Sequence, residues 1–158
     1  MLSGMKIERV ELRRLKVPIK APFETSFGRL YAKESVLVTV FGDGVAGYGE
    51  STAFPHPFYN EETNETIWHI LRDYAVPAFL GKTVAHPEAI SAGLAWIRGN
   101  RMALAAFEGA VWDLYARQQG RSLSALLGGT RRVIDVGVSI GIEADVEAVL
   151  ANGGRFSP

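Results

Sequence analysis

Residues Arg101 to Arg132 read RMALAAFEGAVWDLYARQQGRSLSALLGGTRR and describe a closely packed helix that delivers the chain into an apolar segment. Ala103, Ala106, Gly109 and Ala110 recur at i, i+3, i+6 and i+7, so one stripe of the helix is nearly bare backbone. Phe107, Val111, Leu114 and Tyr115 form a bulky stripe beside it. One face admits close contact while the other fills a core. Gly120 ends the helix, Leu123, Leu126 and Leu127 make a further short turn, and Gly128-Gly129 breaks it. Val133 to Ile140 then alternates as a strand, with the start of a helix at Glu143 to Leu150.

Upstream, strands dominate. Lys6 to Val17 alternates as a first strand that Pro18 is expected to end, and Lys20 to Gly28 reads as a loop carrying Phe23 and Phe27. Glu34 to Phe41 and Val45 to Glu50 form a hairpin about Gly42-Asp43-Gly44. Ser51 to Asn60, rich in proline and aromatics, is a second irregular loop. Helices follow. Thr63 or Asn64 caps a helix through Ile67, Ile70, Leu71 and Tyr74 that Pro77 is expected to stop, with Glu61, Glu62 and Glu65 at its positive end. His86-Pro87 opens the next, through Ile90, Leu94 and Ile97. Three strands, three or four helices, then a strand and a helix start predict an α+β domain, residues 5–130, joined to the beginning of something else, residues 131–158.

Composition bounds the function. The chain has 158 residues, 47% of them hydrophobic, with 17 basic and 17 acidic side chains, so it can bury a core but carries no bulk field for nucleic acid or an anionic membrane. The absence of cysteine excludes thiolate metal sites and fits a reducing cytoplasm. No apolar run approaches the ~20 residues that cross a bilayer. Gly42-Asp43-Gly44-Val45-Ala46-Gly47 satisfies G-x-G-x-x-G literally, yet a strand rather than a helix follows it, so its glycines serve the hairpin turn. His56, His69 and His86 are too scattered to pair as metal ligands, and Asp113 and Arg117 read as an i, i+4 surface pair. No catalytic or metal-binding motif emerges. The two loops do hold five aromatics, Phe23, Phe27, Phe54, Phe58 and Tyr59, where turn chemistry favours small polar residues.

Several short pieces together resemble one family: Ala21-Pro22-Phe23-Glu24-Thr25-Ser26-Phe27-Gly28, Gly47-Tyr48-Gly49-Glu50, Asn100-Arg101-Met102-Ala103, Ala110-Val111-Trp112-Asp113-Leu114 with Leu126-Leu127-Gly128-Gly129, and Gly137-Val138-Ser139-Ile140-Gly141-Ile142. The chain resembles the N-terminal capping domain of the enolase superfamily, mandelate racemase and muconate lactonizing family, in its o-succinylbenzoate synthase and N-acylamino acid racemase branch. The resemblance implies a three-stranded antiparallel sheet with a helical bundle that closes over a (β/α) barrel. It further implies three acidic barrel residues holding Mg2+ or Mn2+, barrel lysines transferring protons, and a small-molecule carboxylate substrate passing through an enediolate. By the same resemblance, Phe23, Ser26, Phe27, Phe54, Tyr59 and Ser139 face substrate, shaping the site and excluding water. The full-length relative is expected to be a cytoplasmic homo-oligomer, with its product directed toward menaquinone. A (β/α)8 barrel needs ~250 residues, whereas 26 follow Arg132, so the resemblance implies only a first barrel strand here, with the ligands and lysines absent and the isolated chain inactive. Muconate cycloisomerisation, dipeptide epimerisation and a non-catalytic binding module are the alternatives.

Overall fold

The computed structural model describes residues 4–154. Its strands are β1 (Met5–Lys6), β2 (Arg9–Thr25), β3 (Gly28–Gly42), β4 (Val45–Ser51) and β5 (Thr83–Val84). Its helices are α1 (Asn64–Ile70), α2 (Val76–Phe79), α3 (Glu88–Gly93), α4 (Arg101–Gln118), α5 (Leu123–Leu126) and α6 (Val146–Gly154), with a π-helical turn, Leu71–Ala75, joining α1 to α2. Two compact units result. The first takes the chain up to Lys16 together with Glu34–Thr130, and the second takes Val17–Lys33 together with the chain from Arg131 onward.

The expected three-stranded antiparallel sheet is present in the order β2-β3-β4. The β3–β4 turn is the two-residue Asp43-Gly44, with Gly42 opposite Val45 and φ of +53° and +75° at the two central positions. Positive φ at both is the twist that matches flanking strands, so the G-x-G-x-x-G string is a hairpin as its context predicts.

In the first unit α4 lies on β4. The contact is backbone to backbone. A β-carbon at Gly49 would stand 2.0 Å from Ala106 O, and one at Gly47 would stand 2.3 Å from Ala110 O. Glycine is therefore required on this face of β4, and the Ala103, Ala106 and Ala110 stripe is the helix's answer to it. Gly109 stands apart, with nothing within 4 Å of its would-be β-carbon. Phe107, Val111 and Leu114 are fully buried with Val36, Val38 and Val40 of β3, Ile67, Leu71, Ile90 and Leu94. The helix closes on a Schellman motif: Arg121 N–H bonds Ala116 O at 3.0 Å, Gly120 N–H bonds Arg117 O at 3.1 Å, and Gly120 has φ +61°.

Four expectations need correction. The first strand does not stop at Pro18, and Lys20–Gly28 is not a loop, because β2 runs to Thr25 and turns directly into β3. As an edge strand β2 turns half its N–H groups away from its one neighbour, and proline is tolerated at such positions. Pro77 does not end the helix either. The preceding π turn widens the backbone where an α-helical carbonyl would meet the proline ring, and α2 continues with Pro77 in its first turn. The helix after His86-Pro87 is shorter than its spacing suggests, since α3 stops at Gly93 while Leu94 and Ile97 are buried beyond it. Finally, Val133–Ile140 forms no strand, because a strand exists through its hydrogen-bonding neighbour and no described strand pairs with this segment. The small β1–β5 sheet, Met5 opposite Val84, was not foreseen.

In the second unit, Ile142 N–H donates to Glu24 O at 3.0 Å, and Asp145 caps α6 by accepting from Ala148 N at 2.8 Å. The end of the expected second domain, residues 155–158, lies outside the described residues. Among the described residues no helix is long and apolar enough to cross a membrane.

Candidate functional site

The tip of the β2–β3 hairpin is a two-residue turn, Ser26-Phe27, closed by the Thr25 hydroxyl donating to Gly28 O at 2.8 Å. Behind the tip, Arg29 reaches back across the hairpin. Its Nε donates to Glu24 Oε2 at 2.8 Å and a second guanidinium nitrogen reaches the same oxygen. Glu24, then Tyr31, raises the guanidinium's already high pKa, so Arg29 stays a cation. Beneath this pair the second unit holds a cleft of about 590 Å³ whose walls include Pro22, Phe23, Arg29, Ser139, Glu143 and Asn152. Asn152 donates to Glu143 Oε1 at 2.8 Å, so α6 and the segment before it brace that wall. An aromatic ring, a hydroxyl and a braced amide with an ion pair suit such a cleft to binding and orienting a polar organic molecule.

A second set of candidates belongs to the first unit, on residues 52–63 between β4 and α1. Phe54 is the hub of a ring cluster, 5.1 Å from Phe58 and 5.7 Å from Tyr59. Such tilted and edge-on contacts are favourable beyond the area they bury. Phe58 and Tyr59 nevertheless keep 53% and 68% of their surface exposed. Both ends of the segment are tied. Asn64 donates to Ala53 O at 3.1 Å and accepts from Ala53 N at 3.4 Å. Glu62, only 3% exposed, accepts Met102 N at 2.8 Å and Ala103 N at 3.1 Å.

The six expected site residues are thus distributed unevenly. Phe23 and Ser139 line one cleft, Ser26 and Phe27 are exposed at the hairpin tip, and Phe54 and Tyr59 touch one another in the first unit. Sequence reasoning passed over Glu24, Arg29, Glu143 and Asn152. The first two oppose each other across a turn, a signal readable only once that segment is seen as a hairpin. It also assigned Glu62 to the wrong helix. Thr63 alone caps α1, through a reciprocal pair with Thr66, while Glu62 serves α4, whose own flanking residue Asn100 sits at φ +53° and offers no side-chain cap. Glu65 pairs instead with Arg14, one bond at 2.8 Å, and the guanidinium holds its carboxyl below the ordinary range. Asp113 does more than pair with Arg117 at 2.8 Å, for it also accepts Tyr48 N at 2.9 Å and so ties α4 to the sheet edge. No group of three His, Asp or Glu capable of holding a metal occurs among the described residues.

Comparison with known proteins places this architecture. Residues 8–128 match the model of the mandelate racemase / muconate lactonizing enzyme N-terminal domain. The chain is 52% identical over 148 residues to the o-succinylbenzoate synthase of Geobacillus stearothermophilus, covering 93% of this chain and 40% of that protein. It is 43% identical over 146 residues to the N-succinylamino acid racemase of Thermus thermophilus, covering 92% and 40%. Among solved structures, an enolase superfamily member from Listeria innocua superposes with TM-score 0.88 at 38% identity, covering 96% of this chain and 41% of that one. The substrate-liganded L-Ala-D/L-Glu epimerase of Bacillus subtilis superposes with TM-score 0.84 at 31% identity, covering 96% and 42%. The chain spans about two fifths of the length of the curated relatives it matches. With the family match running through the sheet, the helices and α4, the chain belongs to the mandelate racemase / muconate lactonizing enzyme family and carries its N-terminal domain.

Proposed function

We propose that this chain is the substrate-enclosing N-terminal part of an o-succinylbenzoate synthase that also racemises N-succinylamino acids. The observation that carries the reading is the 52% identity to a synthase over nearly the whole chain, with a racemase at 43% over the same span. The two names share a succinyl group. Aromatic rings meet a ligand without directional bonds, so the rings among these candidates tolerate two molecules that keep this arm and differ elsewhere.

In this reading Phe23, Phe27, Phe54 and Tyr59 exclude water from the reacting carboxylate, and Ser26 and Ser139 orient the substrate by hydrogen bonds. Divalent metal, where the family uses it, stabilises negative charge developing on the substrate. The described residues of this chain do not fit a ligand set for such an ion. The 158 residues by themselves are expected to turn over neither substrate, and magnesium-dependent turnover by the purified chain would overturn that expectation.

The decisive experiment is a chimera in which residues 5–144 replace the matching segment of the Geobacillus stearothermophilus synthase. The chimera is expected to form o-succinylbenzoate and to racemise N-succinylamino acids. A folded chimera that does neither, but epimerises a dipeptide or lactonises muconate, would sink the assignment.

A further inference from the structure

The segment between β4 and α1 has a construction that its composition does not suggest. Its ends are joined by a two-way amide clasp, the Asn64 side chain giving one hydrogen bond to Ala53 O at 3.1 Å and taking one from Ala53 N at 3.4 Å. A surface segment of this length with bonded ends is an Ω-loop, a compact unit packed by its own side chains. The packing is the Phe54, Phe58 and Tyr59 cluster. Asn64 itself is held in place, since Thr63 and Thr66 close a capping box around the start of α1: Thr63 N–H donates to Thr66 Oγ1 at 2.9 Å, and Thr66 N–H to Thr63 Oγ1 at 3.3 Å.

A second fastening lies at the other root. Glu62 is buried, and its two carboxylate oxygens take the free N–H groups of Met102 and Ala103 at the positive end of the 18-residue helix α4. Asn60 joins it, accepting Glu62 N–H at 3.1 Å and donating to the Met102 sulfur at 3.4 Å. The loop is therefore fastened once to itself and once to α4, the helix that rests on β4.

We propose that Asn64 and Glu62 are positioning residues that hold the 53–62 loop in the form in which Phe54 and Tyr59 wall the substrate. The inference rests on the reading that these two rings face substrate. Specificity contributed by the loop is then set by two side chains that act through it and not on the reacting molecule. Each has a conservative variant that removes part of the fastening. Asn64→Asp keeps the acceptor for Ala53 N–H and loses the donor to Ala53 O, while Glu62→Gln keeps one acceptor oxygen and loses the charge.

Hydrogen exchange on the 158-residue chain tests the fastening without reference to activity. In Asn64→Leu, amides of residues 53–62 are expected to exchange about tenfold faster, with β3 unchanged and Asn64→Asp intermediate. In the chimera, Asn64→Leu and Glu62→Gln are expected to raise KM about three- to tenfold, to shift the ratio of synthase to racemase activity, and to leave kcat within about twofold. Loop exchange that does not change, or an apparent kcat that falls in step with overall stability while KM stays unchanged, overturns the proposal. Phe54→Ala and Tyr59→Ala in the same chimera separate the two levels. If they leave KM unchanged, the substrate-facing reading fails, and this proposal fails with it. If they raise KM while Asn64→Leu and Glu62→Gln do not, the reading stands and only the positioning role is lost.

Discussion

Val36, Val38 and Val40 alternate along β3, and Val136, Val138 and Ile140 alternate in the same way a hundred residues later. The first three are fully buried, whereas the second three expose 81%, 51% and 36% of their surface. The patterns are almost interchangeable and the outcomes opposite. The difference is what each segment meets. β3 lies between two hydrogen-bonded strands and beneath α4, so the valines at every second position are removed from water, while 133–140 has no strand beside it among the described residues. Period-two hydrophobicity prepares a segment to be a strand, and only a partner on its edge and a layer on its face make it one.

The comparison can be broken most forcefully at the contact that buries β3. Gly49→Val places side-chain atoms where Ala106 O already stands, and is expected to cost about 3 kcal/mol or more, read as a lowered midpoint in urea. Next in size is a matched pair. Val38→Ala is expected to destabilise by about 2 kcal/mol, and Val138→Ala to stay within about 0.5 kcal/mol in the same assay. Equal effects would mean that the two segments are buried alike.

A smaller effect of opposite sign should come from Gly109→Ala on the open side of α4, which removes backbone freedom and meets nothing. About 0.5–1 kcal/mol of stabilisation is expected in thermal unfolding. The smallest effect concerns surface charge in the first unit. Arg72, with further help from His69, lowers the Asp73 carboxyl from 3.8 to about 2. A depressed acid stabilises the fold above its unfolded value and ceases to as pH falls through its folded one. The melting temperature should therefore drop more steeply from pH 4 to pH 2 in the parent than in Asp73→Asn. The side chain is exposed, so the difference should be modest and should shrink with added salt.

Features of this fold that are written locally were legible in the sequence. The α4 stripe, the Gly42 to Val45 turn, the Gly120 cap and the Thr63 cap each depend on residues within a turn or two of one another. Features decided by distant residues were not. Whether Pro18 interrupts a strand depends on which edge of the sheet β2 occupies. Whether Pro77 stops a helix depends on a π turn that burying Leu71 and Ala75 stabilises from elsewhere. Glu62 sits beside the start of α1 in sequence but serves a helix that begins about forty residues later. The candidate site divides on the same line. Phe23 and Ser139 were expected on resemblance and share a cleft, while Arg29, Glu143 and Asn152 went unnoticed because their partners lie across a turn or along a helix whose packing the sequence does not announce.

The glycines of β4 have a mechanical consequence. Between most helices and sheets lies a cushion of side chains that can change rotamer and let the layers slide. At Gly47 and Gly49 no cushion exists, and main chain bears directly on main chain. Sheet and α4 are in effect one girder, with little play against shear. A loop that follows directly on the strand carrying those glycines, and is fastened at its far root to the first turn of that helix, inherits the girder's stiffness, and any motion left to it must arise within its own few residues.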